Sequence, residues 1–214
     1  MEAARGKYVY FLDADDLLTE TALEELYNVA ENFNADVVHA EKTFAFFNED
    51  GISCAEPISF QTGEFVTAPT LETFDLEKRV TDFVNKRYLW WACNKLFRRQ
   101  FLSDNKIKFS AIKTFEDFVF TFMCLVAAKN YVRVPFVNYY YRVRKNSLSH
   151  EPRDAVELST IMIKVVGELD NFMNGRKFFR ENYQCRYALL DFFIRERLEV
   201  IAKNFFMTSN LDPA

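Results

Sequence analysis

The chain has 214 residues, half of them hydrophobic and 24 of them phenylalanine, which is enough apolar material for one sizeable core plus an appendage. A formal net charge of −4 argues against a nucleic-acid binder, because affinity for a phosphate backbone requires Lys and Arg clustered over a broad face. Cys54, Cys93, Cys124 and Cys185 form no CxxC pair, and no apolar run reaches the roughly 18 residues of a membrane span, so free thiols and a cytoplasmic or peripheral protein are expected.

Lys7 to Asp16 reads KYVYFLDADD, an apolar, β-branched and aromatic run that predicts a buried strand over Tyr8–Leu12 ending in Asp13, Asp15 and Asp16. Three carboxylates at a strand tip repel one another unless a cation or donor-rich ligand sits among them. The tip is therefore a candidate site, although one of the three acids also suits a turn or a cap for the next helix. Leu17 to Thr21 is expected to open that helix, with Thr21 and Glu24 as a capping box and Leu23, Leu26, Ala30 and Phe33 on one face up to Asn34. Asp36–Ala40 predicts a strand in which His39 is a satisfied interior or edge residue rather than a ligand. The aromatic run to Phe47 and the Asp50-Gly51 turn predict a hairpin with Ile52–Ala55, and Glu56–Thr73 a surface excursion or lid.

Leu76, Val80, Phe83 and Val84 restore helical spacing up to Arg87. Trp90 and Trp91 follow in the densest aromatic patch; an indole beside polar groups makes a platform for a sugar ring, with plain core packing the alternative for at least one. Gln100–Asn105 predicts one or two helical turns, and Phe115–Ala128 an apolar helix that begins with Glu116 and Asp117. Tyr131–Val134 and Val137–Val143 read as strands broken by Pro135, the second carrying Arg142 at an edge that continues to Arg144 and Lys145. Beyond Pro152 come a helix over Ala155–Met173, a break at Asn174-Gly175 and a long helix over Phe178–Phe206, a hairpin expected to pack on the preceding domain, a twin chain or a membrane surface. Arg176, Lys177 and Arg180 keep peripheral membrane contact open.

The string GKYVYFLDADD resembles the end of the nucleotide-binding half of GT-A-type inverting glycosyltransferases. A second block resembles the acceptor half of the same family: Asn94-Lys95-Leu96-Phe97-Arg98-Arg99, Phe109, Glu116-Asp117 with Phe120, then Tyr139-Tyr140-Tyr141-Arg142 leading to Ser147-Leu148-Ser149. The resemblance covers Gly6 to about His150 and implies a partial α/β GT-A domain over 1–150 with a helical hairpin appended over 151–214. Two β-α units that hold base and ribose in the family are expected to be missing ahead of Met1, leaving an open, association-prone edge on Tyr8–Leu12. The implied activity is inverting transfer from a nucleotide diphosphate sugar to a glycan or lipid-linked acceptor. Asp13 and Asp15 would handle ribose, diphosphate and a Mn or Mg ion, with Asp16 in support and His150 as a further candidate metal ligand. Asp117 would be the general base, Glu116 its neighbour, and Arg142 and Arg144 would face the leaving diphosphate. Two other classes fit less well: a haloacid-dehalogenase-type phosphatase, which needs a small residue pair where Asp16-Leu17 stands, and a non-catalytic interaction module.

Overall fold

A computed structural model describes residues 3–46, 55–57, 62–143 and 154–208, with the backbone alone at 55–57 and 200–208. A mixed sheet is its frame. Strand β3 (Val37–Phe46) lies parallel to β7 (Tyr131–Arg142), and on the other edge of β3 lies β6 (Lys95–Arg98), antiparallel, followed outward by β1 (Tyr8–Tyr10). Farther along that same edge β4 (Ala55–Pro57) pairs with Phe44–Phe46, with Ala55 opposite Phe46; Ile52–Cys54 of the expected hairpin and its turn lie outside the described residues. The free edge of β7 takes β5 (Thr70–Leu71) and then β2 (Leu17–Leu18).

Alternation along these strands sends neighbouring residues to opposite faces. Val38, Leu96 and Val132 meet α1 (Ala22–Asn32), whose buried residues are Ala22, Leu26, Val29 and Ala30. A fully buried leucine such as Leu26 contributes about 1.5–3 kcal/mol. Val37, Phe97 and Tyr131 point the other way, into a core shared with α2 (Leu76–Val84), α3 (Arg99–Asp104), α4 (Glu116–Ala127), α5 (Ala155–Asn174) and α7 (Tyr183–Thr208). Ile161, Val165, Leu169 and Met173 recur every fourth residue on α5 and meet Phe122 and Leu189 in this cluster. The helical hairpin is thus continuous with the core under the sheet. Residue 150, the expected domain boundary, falls outside the described residues.

Several expectations are corrected. Leu17-Leu18 pairs with Tyr140 and Tyr139 as a strand, so α1 starts only at Ala22; Thr21 makes no side-chain cap, and Leu23 is 52% exposed. β1 is half-buried rather than buried, and among the described residues it pairs with β6 alone. Pro135 does not break β7, because a register shift between Ala40 and Lys42 of β3 carries the chain past it as a bulge. The long C-terminal helix is split at Asn182 into a short α6 (Lys177–Glu181) and α7. The excursion before α2 is tied down at its end: β5 joins the sheet, and Val66 N–H donates to Glu41 at 2.6 Å. His39 is interior as expected but not satisfied, since neither ring nitrogen has a hydrogen-bond partner. Burial and the charges of Lys95 and Arg133 push its pKa well down, which keeps the ring neutral.

Two further side chains fix helix positions. Asp75 caps α2 by accepting from Lys78 N–H at 3.1 Å. Arg79, fully buried on α2, donates to the carbonyls of Leu125 and Ala128 at 2.8 and 2.5 Å and so satisfies the C-terminus of α4, where a cation also complements the helix dipole. No described helix is long and apolar enough to cross a membrane. Arg176 and Arg180 donate to the carbonyls of Phe172 and Asn174, and Lys177 faces Glu181.

Candidate active site

β1 delivers Asp13 to Asp16 as a turn closed by Asp16 N–H to the Asp13 carbonyl at 3.1 Å. The pairing of Leu17 and Leu18 with Tyr140 and Tyr139 then draws these acids against the far end of β7. Asp16, 5% exposed, accepts from the Tyr139 hydroxyl and from Arg142 N–H at 2.8 Å. Arg142 Nε donates to the Asp15 carbonyl at 2.8 Å, and its guanidinium lies 4.9 Å over the Phe46 ring. Asp16 is therefore the acid that holds the tip together. Tyr139 also reaches Asp13, yet a single hydroxyl proton given to Asp16 leaves the Asp13 oxygens with lone pairs to offer a ligand.

The acids are held at a cost. Burial raises the Asp13 pKa and the charge of Asp15 raises it further, against the Tyr139 hydrogen bond. Asp16 is likewise raised, first by burial, with Arg142 N–H and Tyr139 opposing and Asp15 and Asp13 adding to the rise. A cation or hydrogen-bond donors placed among them would relieve that repulsion.

The second half of the site is the start of α4. Phe115 sits at its N-cap with φ 68°, a left-handed conformation that costs a bulky residue about 1–3 kcal/mol. α7 holds it there: Phe193 packs on the ring edge-on at 5.7 Å, and the Arg197 guanidinium lies 4.7 Å from its centre. The turn presents Glu116 and Asp117. Asp117 Oδ2 accepts from the Ala92 N–H of the neighbouring loop at 3.2 Å, so its carboxylate bridges to another segment, while Phe115 occupies the N-cap position of α4. Burial raises its pKa to about 6; the Ala92 N–H opposes the rise, Glu116 and Asp13 reinforce it, and Lys95 opposes it. Asp13 is among the charges that raise Asp117, and both acids act on Cys93, so the strand tip and the helix start lie within electrostatic reach of one another.

The two tryptophans divide. Trp90 packs edge-on to Phe118 at 5.9 Å against the core, and its carbonyl accepts from Thr121 Oγ1 at 2.8 Å. Trp91 instead lies 6.2 Å from Tyr141, with the rings inclined by 30°, beside the strand end that carries Arg142. The structure thus brings together Asp13, Asp16, Asp117 and, through Asp15 and Tyr141, Arg142 and Trp91. Arg144 and His150 lie outside the described residues. Among those described, no three His, Cys, Asp or Glu side chains form a closed metal-ligand set.

Sequence reasoning passed over Tyr139, Cys93 and Lys95. Tyr139 looked like one packing residue in a tyrosine-rich strand, yet its hydroxyl reaches Asp16, Asp13 and Cys93. Lys95 carries a signal: it stands two residues before the buried Phe97 on the same face of β6, which sends a charge to the interior.

A parallel β3–β7 pair flanked by antiparallel strands, with an acid-tipped strand facing a carboxylate at a helix start, defines a partial GT-A domain of the nucleotide-diphospho-sugar transferase type. Residues 1–104, just under half of the chain, match the model of glycosyl transferase family 2. It is 31% identical over 133 residues to the poly(ribitol-phosphate) beta-N-acetylglucosaminyltransferase TarP of Staphylococcus aureus strain N315, covering 61% of this chain and 36% of that protein. It is 26% identical over 197 residues to the cholesterol galactosyltransferase of Borreliella burgdorferi, covering 86% of this chain and 52% of that one. The chain thus spans about half or less of the length of these relatives. The crystal structure of S. aureus TarS 1–349 in complex with UDP-GlcNAc superposes on 98% of this chain and 54% of its own length, with a TM-score of 0.66 at 18% identity, a likeness of fold.

Proposed function

We propose that this chain carries the acceptor side and the diphosphate-binding tip of an inverting glycosyltransferase. Its donor is a nucleotide diphosphate sugar and its acceptor a glycan or lipid-linked hydroxyl of cell-envelope polysaccharide synthesis. The observation that carries the reading is Asp117: a half-buried carboxylate, held by Ala92 N–H, coupled to Asp13 and pushed up to a pKa of about 6. A base with a pKa near the working pH is the most effective kind. In the reaction the acceptor oxygen attacks the anomeric carbon while its proton passes to Asp117. The bond from that carbon to the diphosphate oxygen breaks on the opposite face, and the diphosphate leaves with the electron pair.

Asp13 and Asp15 offer the hard oxygens that suit Mn or Mg, and an ion held by them would take its remaining oxygens from the donor's diphosphate. Such an ion supplies charge neutralisation to the leaving group. Arg142, already anchored to the Asp15 carbonyl, adds a fixed positive charge at the same place. Trp91 is the better candidate platform for an acceptor ring, since Trp90 is engaged in the core. Acceptors named for the relatives, ribitol-phosphate polymer and cholesterol, support a hydroxyl acceptor at an envelope surface. The division into a transferase part up to residue 150 and a helical part beyond it belongs to the same proposal.

Calorimetry tests the donor site. UDP-sugars should bind in the presence of Mn, and Asp15→Asn should weaken that binding by about tenfold or more. Binding that ignores both Mn and Asp15→Asn would remove the acid tip from the site, and hydrolysis of p-nitrophenyl phosphate with Mg would point to a phosphatase.

A further inference from the structure

The loop that holds Asp117 has little secondary structure of its own. Between α2 and β6, residues Leu89 to Asn94 contain a single 3-10 turn at Ala92–Asn94, and their backbone carbonyls are held by side chains. Lys95 Nζ donates to the carbonyls of Leu89 and Trp91, both at 2.6 Å, and to Asn94 Oδ1 at 2.7 Å. Thr121 Oγ1 takes the carbonyl of Trp90 between them, and Asn94 Nδ2 ties the loop to the Ala40 carbonyl of β3 at 3.2 Å. Lys95 is 1% exposed. Three oxygens around one nitrogen match the three N–H donors of an ammonium, whereas a neutral amine would turn its lone pair on one of them.

We propose that Lys95 is a positioning residue for Asp117, its buried ammonium clamping the Leu89–Asn94 loop so that the Ala92 N–H stays on the Asp117 carboxylate. The inference rests on Asp117 being the base. The groups that face Lys95 are Asp117 and Cys124 of α4, Cys93 of the loop and His39 of β3, directly opposite in register. Burial draws the Lys95 pKa down to about 7, and Cys93 and Asp117 oppose that fall. Asp117 is in turn held lower by Lys95 than burial alone would leave it. His39 is neutral and adds no competing charge. Clamp and base therefore stabilise each other's charged forms, and loss of the ammonium leaves two carbonyls and an amide oxygen buried without a donor.

Both tryptophans of the chain, Trp90 and Trp91, lie in the clamped loop, so intrinsic fluorescence reports its order directly. In Lys95→Met, acrylamide quenching of that fluorescence should rise. The transfer kcat should fall by about 10- to 100-fold with the donor KM within about twofold, the pattern of a lost orienting contact. A folded Lys95→Met with unchanged quenching and kcat overturns the clamp, as does a rise in donor KM as large as the fall in kcat. Should Lys95→Met not fold, Asn94→Ala removes one of the three acceptors and should give the same pattern in smaller measure. In the wild-type protein, a slowly exchanging lysine ammonium resonance that Asn94→Ala perturbs should also be present, and its absence contradicts the clamp. The two readings separate cleanly: loosened tryptophans in Lys95→Met with no transfer by the wild type leave the clamp standing without the function. A dead Asp117→Asn beside an unaffected Lys95→Met leaves the function without the clamp.

Discussion

Two polar clusters flank the central strands β3 and β7, and they treat charge in opposite ways. At one, Arg133 lies between Glu41 and Glu72, all three under 10% exposed, and pairs with both. The remaining acceptor capacity is used as well: Glu41 takes Val66 N–H at 2.6 Å and Glu72 the Tyr88 hydroxyl at 3.2 Å. At the other, Asp13, Asp15, Asp16 and Asp117 gather near Lys95 and Arg142, and Asp13, Asp16 and Asp117 are all pushed toward their protonated forms. The first cluster pins the β5 segment to the sheet and is complete in itself. The second is electrostatically unfinished, as a site must be if a cationic or donor-rich ligand is to complete it.

The largest effect expected is on the unfinished side. Asp117→Asn should lower transfer by about 10²- to 10⁴-fold while donor affinity survives, because a base acts on the acceptor proton. Equal loss of both would assign Asp117 to structure. On the finished side, Arg133→Met leaves two buried carboxylates without their cation and should destabilise the fold by about 3–5 kcal/mol in urea unfolding. A cost below about 1 kcal/mol would mean that water already reaches the pair and that the contrast between the clusters is false. The smallest effect provides the control: Lys113 and Glu157 pair at 2.8 Å with Lys113 73% exposed, and Lys113→Ala should cost less than about 1 kcal/mol.

Much of the frame was legible because it rests on local periodicity. The acid-tipped β1, the β3 strand, α2 and the apolar α4 beginning at Glu116 all follow from spacing that needs no distant partner. What escaped depends on the third dimension. Leu17-Leu18 reads as the first turn of a helix until Tyr139 and Tyr140 supply a strand to pair with. Pro135 reads as a break until a bulge in β7 itself, Val134 to Val137 set against Ala40 to Lys42, accommodates it. In the site, the acids were visible as charges at element ends, but Tyr139, which binds Asp16 from 123 positions away, could not be told from its tyrosine neighbours. Lys95 was visible only as a charge beside hydrophobic residues, and its three acceptors belong to a loop without periodicity.

The pH dependence of transfer is the most direct test of the central claim, that an incompletely compensated Asp117 is the base. Its pKa is raised from 3.8 to about 6, so the ionised, active form is lost as pH falls through about 6 rather than through the ordinary carboxylate range. The predicted kcat/KM climbs about tenfold per pH unit below about 6, and this acid-side break disappears from the residual rate of Asp117→Asn; above about 7, where Lys95 loses its ammonium, the rate falls again as the clamp loosens. A profile that is already flat at pH 5, or a break near 6 that persists in Asp117→Asn, would contradict it.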